Sequence, residues 1–256
     1  MANFIIQTNA KGLEFEEQFL VNELKRSKYI HTYETVSADK ITGRVNDNQI
    51  PVGDIRFVEK ALGLHENPIE IPIYLRTEEF LKRDYRIVPW TEIPERGEFF
   101  LKDVSSLKNF AMILNVNHWD IKKAFEYIPK GKYDTTLSLS KDHLFQVSSL
   151  FDYKAEYRVY VINGEIENIG LYNGSPLYQP DMHLLQKAVN LIALNEKWLK
   201  SYTVDVMVGD KGTALIEVHN FASVGLYSTQ WGSELPYAYI DGVNYLRNDN
   251  KPIYIN

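Results

Sequence analysis

Residues 202–227 read YTVDVMVGDKGTALIEVHNFASVGLY, and this stretch decides how the chain folds around it. Valines alternate with other residues over positions 203–208, so the run is predicted to be a β-strand with Asp205 on the face opposite the valines. A turn at residues 209–212 leads into a second apolar run at 214–218. The pattern therefore predicts a β-hairpin.

One end of the predicted hairpin carries four polar side chains with metal-binding chemistry: Asp205, Glu217, His219 and Asn220. Neighbouring carboxylates repel each other and are costly to bury without a compensating cation or proton. Mg²⁺ prefers oxygen ligands and is usually held by one or two carboxylates together with substrate phosphates, which makes Asp205 and Glu217 candidate ligands. The pattern alone fits equally well an ordinary hairpin whose carboxylates lie on the solvated face.

The composition is that of a globular protein. The 256 residues are 45% hydrophobic and 24% charged, which suits one large domain or two to three smaller lobes. The 17 Tyr and 12 Phe residues are predicted to fill the core rather than to stack on bases. A net charge of −6 argues against a protein that wraps nucleic acid, because phosphate neutralisation needs a basic surface.

Several classes of site are excluded by missing residues. The chain has no cysteine, which rules out disulfides, a thiolate nucleophile and Cys-based metal sites. Neither a Walker loop nor a Rossmann glycine fingerprint is present. Residues 1–7 are too briefly apolar for a signal peptide and no run approaches membrane-spanning length, so we expect a soluble cytoplasmic protein.

The first third of the chain alternates strand and helix patterns. Helices are predicted over residues 14–27 and 55–64, the second capped by Asp54. Alternating elements of this kind indicate an α/β lobe, which we expect to end near Trp90.

The remainder is predicted to contain mainly strands. Besides the hairpin, we predict strands at 98–102, 144–148 and 156–162, and the last of these turns back at Asn163-Gly164. Helices are predicted over 118–128 and from Asp181 to about Leu199, whereas residues 231–256 suggest only packing aromatics.

Two short motifs outside the hairpin carry charges that suit phosphate binding. Lys102 and Lys108 flank a small polar loop directly after a strand, although two lysines at this spacing are usually just solvated. Glu156 and Arg158 share one face of a strand, where a simple ion pair is the other interpretation.

Taken in order, the motifs resemble those of the ATP-grasp superfamily, and more narrowly a small clade within it. The motifs that carry the resemblance are Lys102-x5-Lys108-x-Phe110, Glu156-x-Arg158, Asp205, and Glu217-x-His219 with the following loop at 221–227. The resemblance implies an α/β fold with α+β lobes, in which an N-terminal α/β domain precedes the ATP-grasp lobes. The domains would be residues 1–92, a central lobe at 93–150 and a C-terminal lobe with the metal site at 151–256.

The resemblance also implies roles for individual residues. Arg158 and Lys108 would be catalytic, and Mg²⁺ or Mn²⁺ would be held by Asp205, Glu217 and either His219 or Asn220. The backbone of one strand would bind the adenine edge, and substrate would lie against three residues of the C-terminal lobe. The ATP-binding set would be Lys102, Lys108, Gln146, Val147, Ser148, Glu156 and Arg158, and the substrate set Tyr172, Ser223 and Tyr227.

Two positions depart from the family's pattern. Met112 stands where the clade usually has glycine, and His219 occupies the position of an amide ligand unless the alignment shifts by one residue to Asn220. Imidazole is a poorer ligand for Mg²⁺ than for Mn²⁺, or His219 could contact substrate instead.

The implied activity is that of an ATP-dependent carboxylate–amine ligase that forms an acyl-phosphate and releases ADP and phosphate. Its partners would be small-molecule or peptide carboxylates and amines, with the oligomeric state left open. The alternatives are a nucleotide-binding module with weak or no turnover and a nucleic-acid-modifying ligase, which the acidic charge disfavours.

Overall fold

A computed structural model describes residues 2–26, 31–64, 70–104, 111–116, 144–227 and 231–248. Within these ranges the chain forms three β-sheets flanked by α-helices. The strands are β1 Asn3–Thr8, β2 Thr32–Ser37, β3 Gln49–Val52, β4 Tyr85–Pro89, β5 Glu98–Asp103, β6 Ala111–Asn115, β7 Leu144–Ser148, β8 Tyr153–Ile162, β9 Glu165–Gly174, β10 Tyr202–Gly209 and β11 Gly212–Asn220. The helices are α1 Phe15–Arg26, α2 Ile55–Leu62, α3 Glu78–Leu81, α4 Met182–Asn195 and α5 Leu235–Arg247.

The N-terminal sheet has the order β2-β1-β3, with both strand pairs parallel. Parallel strands need crossover connections, and α1 and α2 provide them. The Asp54 side chain accepts a 2.9 Å hydrogen bond from the Phe57 amide and so caps α2, as the sequence predicted. The expected α/β character of this region is confirmed.

The middle sheet has the order β4-β7-β5-β6, and its paired strands are antiparallel. Side chains alternate across it, so Phe99 and Leu101 enter a small core while Phe100 and Lys102 line the cavity described below. Because β4 pairs with β7, residues 85–89 belong to this sheet.

The C-terminal sheet has the order β11-β10-β8-β9 and contains the predicted hairpin. One face packs against α4, and Asp181 caps that helix through hydrogen bonds from the amides of His183 and Leu184. The predicted end of this helix near Leu199 is wrong, because the chain leaves helical geometry at Glu196 (φ −116°, ψ 69°). The opposite face of the sheet is left to form the site.

The C-terminal helix α5 was missed by the sequence interpretation, which assigned residues 231–256 no element. Its apolar side chains recur at helical spacing and pack into the core shared with the N-terminal sheet. They are Leu235, Ala238, Tyr239, Val243 and Leu246. A Cβ at Gly242 would lie 2.5 Å from the Ala222 nitrogen, so this glycine lets α5 approach the loop after β11.

Candidate functional site

A cavity of about 850 Å³ lies between the middle and C-terminal sheets. This volume is within the range of small-molecule sites, roughly 300–1,000 Å³. Both walls are made of strand residues whose neighbours point into hydrophobic cores, so strand alternation places the polar side chains in the cavity. The polar lining includes Lys102, Gln146, Ser148, Glu156, Arg158, Asp205 and Glu217. Val147, the remaining residue of the predicted adenine strand, instead packs in the core of the middle sheet.

Three charged residues form a row across adjacent strands of the C-terminal sheet. Asp205 on β10 is paired in register with Arg158 on β8 and with Glu217 on β11. The Arg158 guanidinium donates two hydrogen bonds to Asp205, each 2.7 Å long, from Nε to Oδ1 and from Nη2 to Oδ2. Burial alone would lower the pKa of Arg158, but Asp205 raises it above its ordinary value.

Lys102 extends this row from the opposite wall. Its Nζ donates a 2.9 Å hydrogen bond to Oε2 of Glu217, and both side chains are 8% exposed. Burial alone would lower the pKa of Lys102, yet the carboxylates of Glu217 and Glu70 hold it above its ordinary value. The ion pair therefore links the two sheets across the cavity.

The two cleft carboxylates suit a metal that is shared with a ligand. Across the ranges described above, no group of three or more His, Asp or Glu side chains is arranged to hold a metal alone. Asp205 and Glu217 each face a cation in the ligand-free protein. Two carboxylates supplemented by phosphate oxygens are nevertheless the usual Mg²⁺ arrangement, so the residues present fit the ion if a nucleotide accompanies it.

His219 and Asn220 differ in how their side chains are placed. His219 is paired with Thr203 and follows Glu217 by two positions, which puts the imidazole on the same face of β11 as the Glu217 carboxylate. Oδ1 of Asn220 accepts a 3.0 Å hydrogen bond from the Ala222 amide. The amide oxygen is thus engaged in the turn after the strand.

An aromatic wall lies beside Arg158. The rings of Tyr172 and Tyr227 are stacked with centroids 5.0 Å apart, and the Arg158 guanidinium lies 5.9 Å and 5.1 Å from them respectively. Burial first, and then the charges of Asp205 and Glu156, raise the pKa of Tyr172. A Cβ at Gly170 would lie 3.0–3.1 Å from Tyr227, so glycine allows that close approach.

The loop at residues 221–227 is fixed by hydrogen bonds to other parts of the protein. The Tyr160 hydroxyl donates to the Gly225 carbonyl at 2.8 Å and accepts from the Tyr227 amide at 2.7 Å. The Ser223 hydroxyl donates to the Gly53 carbonyl at 2.8 Å in the N-terminal region. Of the three residues predicted to meet substrate, Ser223 therefore anchors the loop, while Tyr172 and Tyr227 flank Arg158.

Other residues extend the site or lie outside it. Lys108 and Phe110, and the predicted helix at 118–128, lie outside the described residues. The sequence interpretation missed Glu70, which is 2% exposed, influences Lys102 and accepts a hydrogen bond from the Tyr85 hydroxyl. An acidic residue inside the apolar run at 68–75 was the available signal. Arg83, which also lines the cavity, was missed too.

A family model described as an ATP-grasp domain, the second family of its clade, matches residues 80–233. The chain belongs to this ATP-grasp family. The range matched to the ATP-grasp domain includes both walls of the cleft and all of its charged row. The sequence resemblance to a small clade of the ATP-grasp superfamily is therefore confirmed.

Solved structures share the fold of this ATP-grasp protein at low identity. D-alanyl-alanine synthetase A from Vibrio cholerae superposes with a TM-score of 0.57 at 9% identity over 94% of this chain and 98% of that chain. D-alanine–D-alanine ligase from Bacillus anthracis gives 0.51 at 13% identity over 97% and 99%. L-amino acid ligase from Bacillus licheniformis gives 0.51 at 14% identity over 96% and 74%. These similarities confirm the predicted ATP-grasp fold.

No curated protein sequence matches this ATP-grasp chain. Of the helices described, none has both the length and the apolar character needed to cross a bilayer.

Proposed function

We propose that this ATP-grasp protein is an ATP-dependent carboxylate–amine ligase that works through an acyl-phosphate. The observation that carries the proposal is the buried row of Arg158, Asp205 and Glu217, completed by Lys102 from the opposite wall, in an ATP-grasp cleft. Two cations and two carboxylates at ion-pair distance are the groups needed to hold triphosphate oxygens and a divalent metal.

The row supplies its charges by exchanging partners. Lys102 and Arg158 would turn from the carboxylates to phosphate oxygens, and Asp205 and Glu217 would then hold Mg²⁺ or Mn²⁺ together with His219. The metal would neutralise phosphate charge during transfer. A guanidinium stays charged and binds planar oxyanions through two donors, which assigns Arg158 to the transferred phosphoryl group.

The proposed reaction has two steps. A carboxylate oxygen of the first substrate attacks the γ-phosphorus, and the bond from that phosphorus to the bridging oxygen of ADP breaks. An amine then attacks the acyl carbon, phosphate leaves with the bonding electron pair, and the amine nitrogen loses a proton. Positioning and charge neutralisation supply most of the catalysis in such transfers.

The cleft suits a small acid and amine. Tyr172 and Tyr227 make a wall beside Arg158, and the loop at 221–227 is held rigidly behind it. Several proteins of this fold are named as ligases of amino acids, which favours amino-acid or peptide substrates. The divisions 1–92, 93–150 and 151–256, the additional catalytic role of Lys108 and the cytoplasmic location belong to the same proposal.

A nucleotide-binding module with weak or no turnover is the second candidate. It is favoured by Met112 and His219, which stand where the resembled clade has other residues. A nucleic-acid-modifying ligase is the third, and the net charge of −6 disfavours it.

ADP formation tests the proposal. The protein would be incubated with ATP, Mg²⁺ or Mn²⁺, and paired pools of amino acids and short peptides. We expect acid- and amine-dependent ADP release in the wild type and a loss of about 100-fold or more in Arg158→Lys, which keeps the charge but cannot bind bidentately. Nucleotide binding without ADP release from any pool would favour the second candidate, and salt-sensitive binding of RNA or DNA would favour the third.

A further inference from the structure

Arg83 lines the same cavity and is held in one orientation by the protein. Its Nη1 donates to the carbonyls of Leu81 at 3.0 Å and Leu215 at 2.8 Å. The guanidinium carbon also lies 5.8 Å from the centre of the Tyr85 ring. Leu215 precedes Glu217 by two positions, so Arg83 is held along the same strand as the carboxylate that Lys102 contacts.

The charge of Arg83 is not matched by an ion pair. No Asp or Glu of the described ranges lies within ion-pair distance of it, whereas Lys102 and Arg158 each have a carboxylate partner. Burial lowers the pKa of Arg83 to about 10, while the pKa values of Lys102 and Arg158 are raised. Removing a charge from water without a counter-ion is costly, and such groups concentrate at functional sites.

Arg83 also keeps donors available. A guanidinium has five N–H donors, and the two carbonyls use those of Nη1. Nε and Nη2 have no hydrogen-bond partner among the residues described, which leaves their N–H groups for a ligand in the cavity. An anionic oxygen is the chemistry that matches both the open donors and the unmatched charge.

We propose that Arg83 is a third cation for the phosphate oxygens of the nucleotide, beside Lys102 and Arg158. This inference rests on the proposed function, since it requires a nucleotide in the cleft. Lys102 and Arg158 are neutralised by carboxylates before the ligand arrives, so Arg83 supplies the positive charge that first attracts the phosphates. Its role is binding and positioning, and the exchange at the charged row follows.

Calorimetric titration of the full chain tests Arg83. Arg83→Gln removes the charge, and Arg86→Gln is the matched control because Arg86 lies on β4, is exposed and does not line the cavity. With ADP and Mg²⁺ we expect about tenfold or weaker binding by Arg83→Gln, as for loss of a charged hydrogen bond, and wild-type binding by Arg86→Gln. Adenosine, which has no phosphate, should bind both variants as it binds the wild type.

Arg83→Lys guards against a folding defect in the glutamine variant. It retains the charge and should keep most of the affinity for ADP and Mg²⁺. Wild-type ADP affinity in Arg83→Gln would overturn the inference and leave Arg83 as a structural link between α3 and β11. Equal weakening of adenosine and ADP would overturn it as well. If the wild type itself bound neither ATP nor ADP, the proposed function would fail together with this inference.

Discussion

Arg158 and Asp205 face each other across β8 and β10, with two 2.7 Å hydrogen bonds joining the guanidinium to both carboxylate oxygens. Their side chains are 13% and 4% exposed, so little water screens the pair. In the ligand-free protein this pair stabilises the sheet, and in the proposed nucleotide complex both partners find new ones. The same contact thus serves folding before ligand binding and function after it.

Breaking this pair from one side should destabilise the protein. Arg158→Gln leaves the Asp205 carboxylate buried without its cation, and we expect a loss of about 3 kcal/mol in the free energy of unfolding, measured by urea denaturation. The double variant Arg158→Gln/Asp205→Asn should recover much of that loss. Equal stability of the wild type and the single variant would show that the pair contributes nothing.

The hydroxyl of Tyr160 should matter more than that of Tyr157. Tyr160→Phe removes the bonds to Gly225 and Tyr227, and we expect a loss of about 1–3 kcal/mol in unfolding free energy. The Tyr157 hydroxyl on the same strand is buried with no hydrogen-bond partner among the described residues, so Tyr157→Phe should be neutral or stabilising. Urea denaturation of both variants checks this, and an equal loss from each would contradict the anchoring of the loop by Tyr160.

Glu156 should make stability depend on pH. Burial, and then the charges of Asp205 and Glu217, raise its pKa above the ordinary 4.5. The folded state therefore favours the protonated form, and its contribution to stability is present below pH 4.5 and is lost as pH rises through the raised pKa.

Glu156→Gln imitates the protonated form. We expect it to melt at a higher temperature than the wild type at neutral pH, with the difference shrinking as pH falls towards 4.5. Glu165→Gln, at an exposed position at the start of β9, is the control and should follow the wild type throughout. A difference that does not change with pH would refute the role of ionisation.

The local elements of this fold were readable from the sequence. The hairpin of β10 and β11, the Asn163-Gly164 turn and the caps at Asp54 and Asp181 depend on neighbouring residues, and all are present. Both Asn163 and Gly164 have positive φ, at 53° and 79°, which this residue pair tolerates in a tight turn.

Contacts between distant parts of the chain were not readable. The Lys102–Glu217 ion pair joins residues 115 positions apart, and Ser223 meets Gly53 across 170. Such pairs depend on how the sheets pack, which no local pattern encodes. Helix α5 was missed for a different reason, because its aromatic residues were interpreted as packing without their helical spacing being tested.

The two candidates for the third metal ligand can be separated. His219→Ala should remove metal-dependent stabilisation by ADP while leaving the fold intact, because the imidazole shares a face with Glu217. Asn220→Ala should lower stability by about 1 kcal/mol through loss of the hydrogen bond to Ala222, with the metal dependence retained. Thermal shift with ADP and either Mg²⁺ or Mn²⁺ checks both, and the reverse pattern would assign the ligand to Asn220.

The charged row implies that metal and nucleotide bind together. Mg²⁺ alone would have to displace Lys102 and Arg158 from their carboxylates and leave both cations unpaired. A nucleotide alone would leave Asp205 and Glu217 unpaired in the same way. Only joint binding gives every buried charge a partner.

The measurement that tests this account most directly is a calorimetric titration with a non-hydrolysable ATP analogue, with and without Mg²⁺, on the wild type and Glu217→Gln. The account predicts tight binding by the wild type only when both ligands are present, and loss of the metal dependence in Glu217→Gln. Absence of binding under every condition, or equal binding with and without Mg²⁺ in both proteins, would contradict it.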